Sequence, residues 1–524
     1  MFVVQTAEET KIFVCWAFTT TTTHLKMKVV IFGTHPNQFN GYSKVVYEIS
    51  KVWNAPDMEL HIFGFQNMHN HPGHRKDVPA NVIVFDALAN EIPRAQGFGV
   101  NCARDYVTRI RPDVVIIFND LIVLTTILRE VCAAPNRSEF KVIAYIDQVY
   151  LSQRRDLLAY VNDNANAVLA FTPGWRDCII GQGMRLPCFS LPHGFNPNTY
   201  FPVPKDLARR FFGLPGDSFL ILNLNRNQPR KRWDICLQAF AEVVARLPNA
   251  PIRLVVGTAL TGAWNIPELF ERELLKRGVK DAPQVVRDRL VVPGHPQMLT
   301  DMETNFLYNV ADIGINTCDG EGFGLCNFEQ AAIGIPQVVP ALGGFLHFFD
   351  ETCALMVKPK ISIYVDTARD GVGGEAELSA PVDFADAIMR YYGDRDLMCR
   401  HGASARERIV RDFAWGDIAN TLDKIIREDI IGTQRDIIIA RDSCNPVVQE
   451  DQAFVSIATL ESRILLTTGT STNDTTGTAT NSSNVSSISI SDDKTYLCAR
   501  RSHIAALIQT KKNARKSRLQ VIQP

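Results

Sequence analysis

The residues with the most chemical potential per unit length lie in "CDGEGFGLCNFEQAAIGIP", Cys318 to Pro336. Acids and glycines come first, and then an apolar helical run carries the lone carboxylate of Glu329. The preceding "DIGINT" reads as a strand ending at Thr317, so the spacing predicts strand, loop Asp319 to Gly324, and a helix starting near Leu325. The first turn of a helix has unpaired N–H groups and the positive end of the dipole, which suits a phosphate. Gly322 and Gly324, lacking side chains, are expected to let a ligand approach the backbone. Glu321 stands in the loop. Glu329 lies one turn inside the helix, and helical side chains lean toward the N-terminus, so two carboxylates converge on one anion site. A lone helical Glu is ordinarily solvated, but Phe328, Ala331, Ala332 and Ile333 make a solvated face hard to draw here.

A second group, "NLNRNQPRKRWD", places Arg226, Arg230, Lys231 and Arg232 in a loop leading into a helix that begins near Trp233. The bland reading is a solvated basic loop. The loop also follows a strand of the same sheet, so Arg226 and Lys231 can face a diphosphate from the side opposite Gly324. It lacks the interleaved aromatics of a nucleic-acid site. A third group, "GTHPNQFNGYSKVVYEIS", puts Gly41 before a helix that Ser43 is expected to cap, without the G-x-G-x-x-G spacing of a dinucleotide site.

These groups need a scaffold. From "MKVVIFG" onward, apolar strands such as "ELHIFGF", "DVVIIFND" and "KVIAYID" alternate with helical patterns, which implies crossover connections and a mostly parallel, doubly wound sheet. The Pro- and Asn-rich "GFNPNTYFPVPKD" interrupts the rhythm, and a second alternating series follows. The expected organisation is an unstructured extension at 1–26, Rossmann-like domains at 27–200 and 201–415, a C-terminal helix at 416–440 packing back on the body, and a disordered tail at 441–524. Met27 reads as the functional start. The Thr-, Ser- and Asn-rich tail is too poor in apolar residues to offset chain ordering, and the basic, acid-free end after Ala499 reads as a solvated helix. The segment 359–380 reads as an inserted Gly- and acid-containing loop, with a surface ornament weighed equally against a lid or acceptor contact.

Composition narrows the partners. Of 524 residues, 46% are hydrophobic and 21% charged, with a net charge of -1, so no global basic field recruits nucleic acid or a membrane surface. The 12 cysteines show no C-x-x-C pair and no metal-ligand spacing, the pattern of reduced thiols in a cytoplasmic protein. No apolar run is long enough for a membrane span, and "KIFVCWAF" follows Glu8 and Glu9 where a signal peptide carries positive charge.

Taken together, the motifs resemble the family 4 glycosyltransferases (glycosyl transferases group 1), retaining nucleotide-sugar enzymes of the GT-B fold, in which two Rossmann-like domains face one another across a cleft. The family's Glu, Gly-Phe-Gly-Leu and second Glu stand here as Glu321, Gly322, Phe323, Gly324, Leu325 and Glu329, continuing into "GIPQVVP". "RPDVVIIFND", "LPHGFNPNTYFP", "LVVPG" and "FAWGDIANTL" fall in order, over roughly residues 27–430. The resemblance implies that Arg226, Lys231 and the N–H groups of Leu325 and Cys326 hold the donor diphosphate. It places Glu329 on the ribose, and Glu321 with the amides around Phe323 on the sugar. Asp147, in "AYIDQVY", occupies the place where many relatives have a histidine facing the sugar, Gly41 and Tyr42 replace the usual Gly-Gly, and Gly294 lies near the base. The implied reaction moves a sugar from a nucleoside diphosphate sugar to a carbohydrate or lipid-linked hydroxyl, with retention, without metal or other cofactor, without nucleic acid, and with at most peripheral membrane association. A nucleotide-sugar epimerase of the same fold is the alternative, and a binding protein without catalysis is a third reading that the intact Glu321, Glu329, Arg226 and Lys231 disfavour.

Overall fold

Runs such as "MKVVIFGT" and "VVIIFND" are apolar on both faces, and a strand of that kind is stable only when both sides are covered. They form two all-parallel sheets in a computed structural model that describes residues 26–432, apart from 54, 69–74, 76, 94–95, 295–298 and 367–372. The N-terminal extension up to residue 25, the basic end and the tail at 441–524 lie outside the described residues.

The first sheet contains β1 (Met27–Thr34), β2 (Met58–Phe65), β3 (Ile83–Asp86), β4 (Val114–Asp120), β5 (Lys141–Asp147), β6 (Ala167–Ala170) and β7 (Cys188–Ser190). Their order is β3-β2-β1-β4-β5-β6-β7. The second contains β8 (Phe219–Asn223), β9 (Ile252–Val256), β10 (Leu290–Val291), β11 (Ile313–Ile315), β12 (Gln337–Pro340) and β13 (Leu355–Val357), in the order β10-β9-β8-β11-β12-β13. In each sheet the order reverses beside the first strand, between β1 and β4 and between β8 and β11. Helices cover the faces. In the second domain, Trp233 and Phe240 of the Trp233–Arg246 helix are buried, and Phe240 stacks on Phe270 at 5.2 Å between centroids.

Two expected boundaries move, and one expected loop has regular structure. The strand "DIGINT" ends at Ile315 rather than Thr317, because the Asn316 side chain accepts the Cys318 N–H at 2.9 Å and turns the chain. The first helix spans Gly41–Val52 and is capped by Asn40, whose side chain accepts from the Ser43 N–H at 2.8 Å, so Ser43 is the third helical residue and not the cap. The insertion at 359–380 contains an antiparallel hairpin, β14 (Ile361–Val365) with β15 (Gly374–Leu378). Val365 and Ala376 bury against Val149 and Tyr150 of the first domain, and the Leu151 N–H donates to the Glu375 carbonyl at 3.1 Å.

The chain passes between the domains twice, and the two passages run side by side: Phe195 pairs with Ala414, and its N–H donates to the Phe413 carbonyl at 2.7 Å. The helix Trp415–Lys424 and the wider turn Ile425–Gly432 then lie against the first domain. Trp53 Nε1 donates to Asp423 at 2.9 Å, and Arg427 pairs with Asp57 at 2.9 Å. Among the described residues, no helix is long and apolar enough to cross a membrane.

Gly194 sits where the outgoing passage meets Trp415: a Cβ there would lie 2.6 Å from the indole ring and 2.9 Å from the Trp415 Cα. Gly194→Ala is expected to lower stability by roughly 1–3 kcal/mol through overpacking. Gly216→Ala, where a Cβ meets nothing within 4 Å, should stay within about 0.5 kcal/mol of the parent. Denaturant midpoints of the two variants check the difference.

Candidate active site

Where strand order reverses, the loops at the carboxyl ends diverge and leave a crevice. At the second sheet's reversal, the loop after β8 carries Arg226 to Arg232 and the loop after β11 carries Asp319 to Gly324, so topology sets the two motifs side by side. At the first sheet's reversal, β1 leads to Gly41 and Tyr42 and β4 ends at Asp120, with β5 and its terminal Asp147 next in order. The crevices share one cavity of about 760 Å³ lined from both domains, among others by Tyr42, Asp147, Arg226, Lys231, Glu321 and Phe323.

The helix Leu325–Ala332 starts from Gly324, whose φ of 93° is left-handed and suits glycine, and no side chain caps it. Leu325 and Cys326, at its uncapped first turn, line the cavity. Arg226 lies exposed on the same cavity and makes no ion pair among the described residues. Cations on one side and an uncapped helix mouth on the other form a site for a multiply charged anion.

Both carboxylates of the motif are buried, Glu321 at 6% exposure and Glu329 at 3%. Glu321 pairs with Lys231, lies 3.5 Å from Arg230, and accepts from Asn316 at 3.4 Å. Burial works to raise its pKa, but the Lys231 and Arg230 charges overcome that effect and hold the group below the usual carboxylate range. Glu329 accepts from Lys44 Nζ at 2.8 and 2.7 Å and from the Tyr308 hydroxyl at 2.8 Å. Here burial prevails over Lys44 and Tyr308, and the carboxyl is raised. Lys44 belongs to the first domain, so the Glu329 ion pair spans the cleft. Arg75 makes a second spanning pair, bidentate to Asp301 at 2.8 Å on both branches.

Asp147 lines the cavity, with Oδ2 accepting from the Tyr42 hydroxyl at 2.6 Å. Its Oδ1 is buried without a hydrogen bond against Gly322, where a Cβ would overlap it. Burial raises the Asp147 carboxyl against the pull of Arg230 and the Tyr42 hydrogen bond. The side on which a Cβ would stand is filled by protein at both glycines, by the Asp147 carboxylate at Gly322 and by the Phe345 ring at Gly324, and of the two Gly324 lines the cavity. Gly41 stands against Leu325, where a Cβ would come within 3.2 Å of Cδ1. Gly294 is exposed and does not line the cavity, and the neighbouring residues 295–298 lie outside those described.

Sequence reasoning missed Lys44 and His193. Lys44 had one available signal, a cation among the apolar Val45 and Val46 one turn after Gly41. His193, in "LPHGF", is buried between Phe171 and Phe323, with ring centroids at 4.4 and 4.6 Å. Burial drives its pKa down to about 3, so it is a neutral ring joining the first domain's aromatic core to the motif loop. Among the described residues, no group of three His, Cys, Asp or Glu side chains could hold a metal ion.

No family model matches the chain. A D-inositol 3-phosphate glycosyltransferase of Thermobispora bispora is 27% identical over 254 residues, 48% of this chain and 52% of the relative. The D-inositol 3-phosphate glycosyltransferase 2 of Catenulispora acidiphila is 34% identical over 228 residues, 43% and 47% of the two chains. The chain thus spans about half the length of the curated relatives it matches. Among solved structures, sucrose-phosphate synthase from Thermosynechococcus elongatus superposes with a TM-score of 0.58 at 17% identity, over 78% of this chain and 100% of that one. Anabaena HepE in complex with UDP and glucose gives 0.57 at 16%, over 77% and 100%. The fold is that of the GT-B glycosyltransferases, two Rossmann-like domains facing across a cleft.

Removing Lys44 leaves a buried carboxylate with only Tyr308. Lys44→Met is expected to cost roughly 3–5 kcal/mol, and the double variant Lys44→Met/Glu329→Gln to recover much of that, as a double-mutant cycle in denaturant would show. His193 gives a pH signature. Its folded pKa lies below the ordinary 6.5, so the unfolded chain takes up the proton first and stability falls as pH drops below 6.5. The contribution is about 1.4 kcal/mol per pH unit, levelling near the folded value. His193→Gln should flatten that limb between pH 6.5 and 4.5 in unfolding titrations.

Proposed function

We propose that the protein is a retaining glycosyltransferase that moves a sugar from a nucleoside diphosphate sugar to a hydroxyl acceptor without a metal ion. The observation that carries this reading is the juxtaposition of the Arg226–Lys231 loop with the uncapped helix mouth at Leu325 and Cys326, in a cavity closed by the other domain. As the sugar leaves, charge builds on the departing phosphate while the anomeric carbon becomes oxocarbenium-like, and fixed cations and backbone dipoles stabilise that charge without reorganisation. The bond from the anomeric carbon to the diphosphate oxygen breaks, the acceptor oxygen bonds on the same face, and its proton passes to the leaving phosphate. Glu321 and Asp147 face the sugar, and the ribose exchanges with Lys44 at Glu329.

Support comes from the relatives named as glycosyltransferases and from Anabaena HepE, a neighbour of the same fold that binds UDP and UDP-glucose. A lipid- or carbohydrate-linked hydroxyl is the proposed acceptor, entering from the first domain, in a cytoplasmic enzyme. An epimerase would need no acceptor, so product formation with and without acceptor separates the two.

Arg226 carries no ion pair that folding depends on. Arg226→Ala is expected to leave the unfolding midpoint in place and to weaken nucleoside diphosphate binding by about 1.5–3 kcal/mol, on the order of 10- to 100-fold. Calorimetric titration with UDP, GDP and ADP identifies the base and checks the loss. An Arg226→Ala protein that binds the preferred nucleotide as tightly as the parent rejects the assignment.

A further inference from the structure

The charges around the cavity restrict which sugar it can accept, given the donor reading above. Asp147 and Asp120 from the first domain and Glu321 from the second all line the cavity, and the Asp147 carboxylate is packed against Gly322, the residue that follows Glu321. Arg226, Arg230 and Lys231 are the cations beside them. Lys231 is already bound to Glu321, and Arg230 lies 3.5 Å from Glu321 and donates to the Gly320 carbonyl at 3.2 Å. The two other described cavity cations are held elsewhere, Lys44 by Glu329 at 2.7 Å and Arg75 by Asp301 at 2.8 Å. Once a diphosphate draws on Arg226, Arg230 and Lys231, no described cation remains for another anion.

From this charge balance we infer that the sugar subsite selects an uncharged hexose and rejects a uronic acid. Uncharged hydroxyl groups meet no repulsion beside Asp147 and can donate to Glu321. A sugar carboxylate offers no donor, and it would lose its water beside like charges in a partly dry cavity, a repulsive element of the kind that sets specificity. Asp147 is the discriminating residue, because its Oδ2 is fixed by Tyr42 and its Oδ1 is wedged at Gly322, so it cannot turn away.

The test titrates the full chain with the bare nucleoside diphosphate it prefers, then with three derivatives of that nucleotide: the glucosyl, the glucuronosyl and the uncharged glucuronamide. The glucosyl and glucuronamide forms are expected to bind alike and the glucuronosyl form at least about tenfold more weakly. In Asp147→Asn that ratio should shrink severalfold. Equal binding of the glucosyl and glucuronosyl forms overturns this inference while leaving the donor reading intact. Rejection of the glucuronamide as strongly as the acid also overturns it, since shape would then be deciding. Failure of every nucleoside diphosphate to bind overturns both.

Discussion

Two buried carboxylates have to be neutralised, and much of the architecture follows from how that is done. Glu321 is served from within its own domain, by the basic loop after β8 that the reversed strand order sets beside it. Among the described residues Glu329 has no cation of its own domain in contact, and Lys44 reaches it from the first helix of the other domain. A buried carboxylate without a partner costs several kcal/mol, so the Lys44 pair ties the arrangement of the two domains to the protonation state of one group. The two glutamates diverge accordingly: the cations around Glu321 outweigh its burial, whereas at Glu329 burial prevails.

Much of this was legible in the chain. The motif from Glu321 to Glu329, the helix start at Leu325 and the basic loop ahead of Trp233 carry local signals, set by glycine conformation, helix periodicity and strand composition. The alternation of strands and helices marked a doubly wound body, and the two main sheets are fully parallel. Partners across the cleft left no such trace. Lys44 and Glu329 are 285 positions apart, and neither residue's neighbours name the other. Asp147 filling the space at Gly322 is likewise a product of tertiary packing, since a glycine reads the same whether a ligand or a protein atom occupies the vacant side. The capping residue was misplaced by three positions because Asn40 and Ser43 are both good caps, and the capping box uses both.

The cavity has no simple polarity. Exposed Arg226 and the uncapped helix mouth line it, and so do the carboxylates of Asp120, Asp147 and Glu321. Lys231 lines the same cavity and is bound to Glu321, so an anion that draws on Lys231 competes with an ion pair the protein already makes. The aromatic column of Phe118, Tyr145, Phe171, His193 and Phe323 gives this polar site a dry, stiff wall that continues from one domain into the other.

The paired passages at Phe195 and Ala414 bear on motion. A single strand joining two bodies leaves twist, slide and bend all soft, whereas two strands bonded side by side and packed over Gly194 resist twist and slide and leave bending as the easy mode. Any opening of the domains is then expected to be a bend, like covers on a spine. In such a bend displacement would be smallest near Trp415 and grow toward the far rim, so the edge away from that spine is the one that widens.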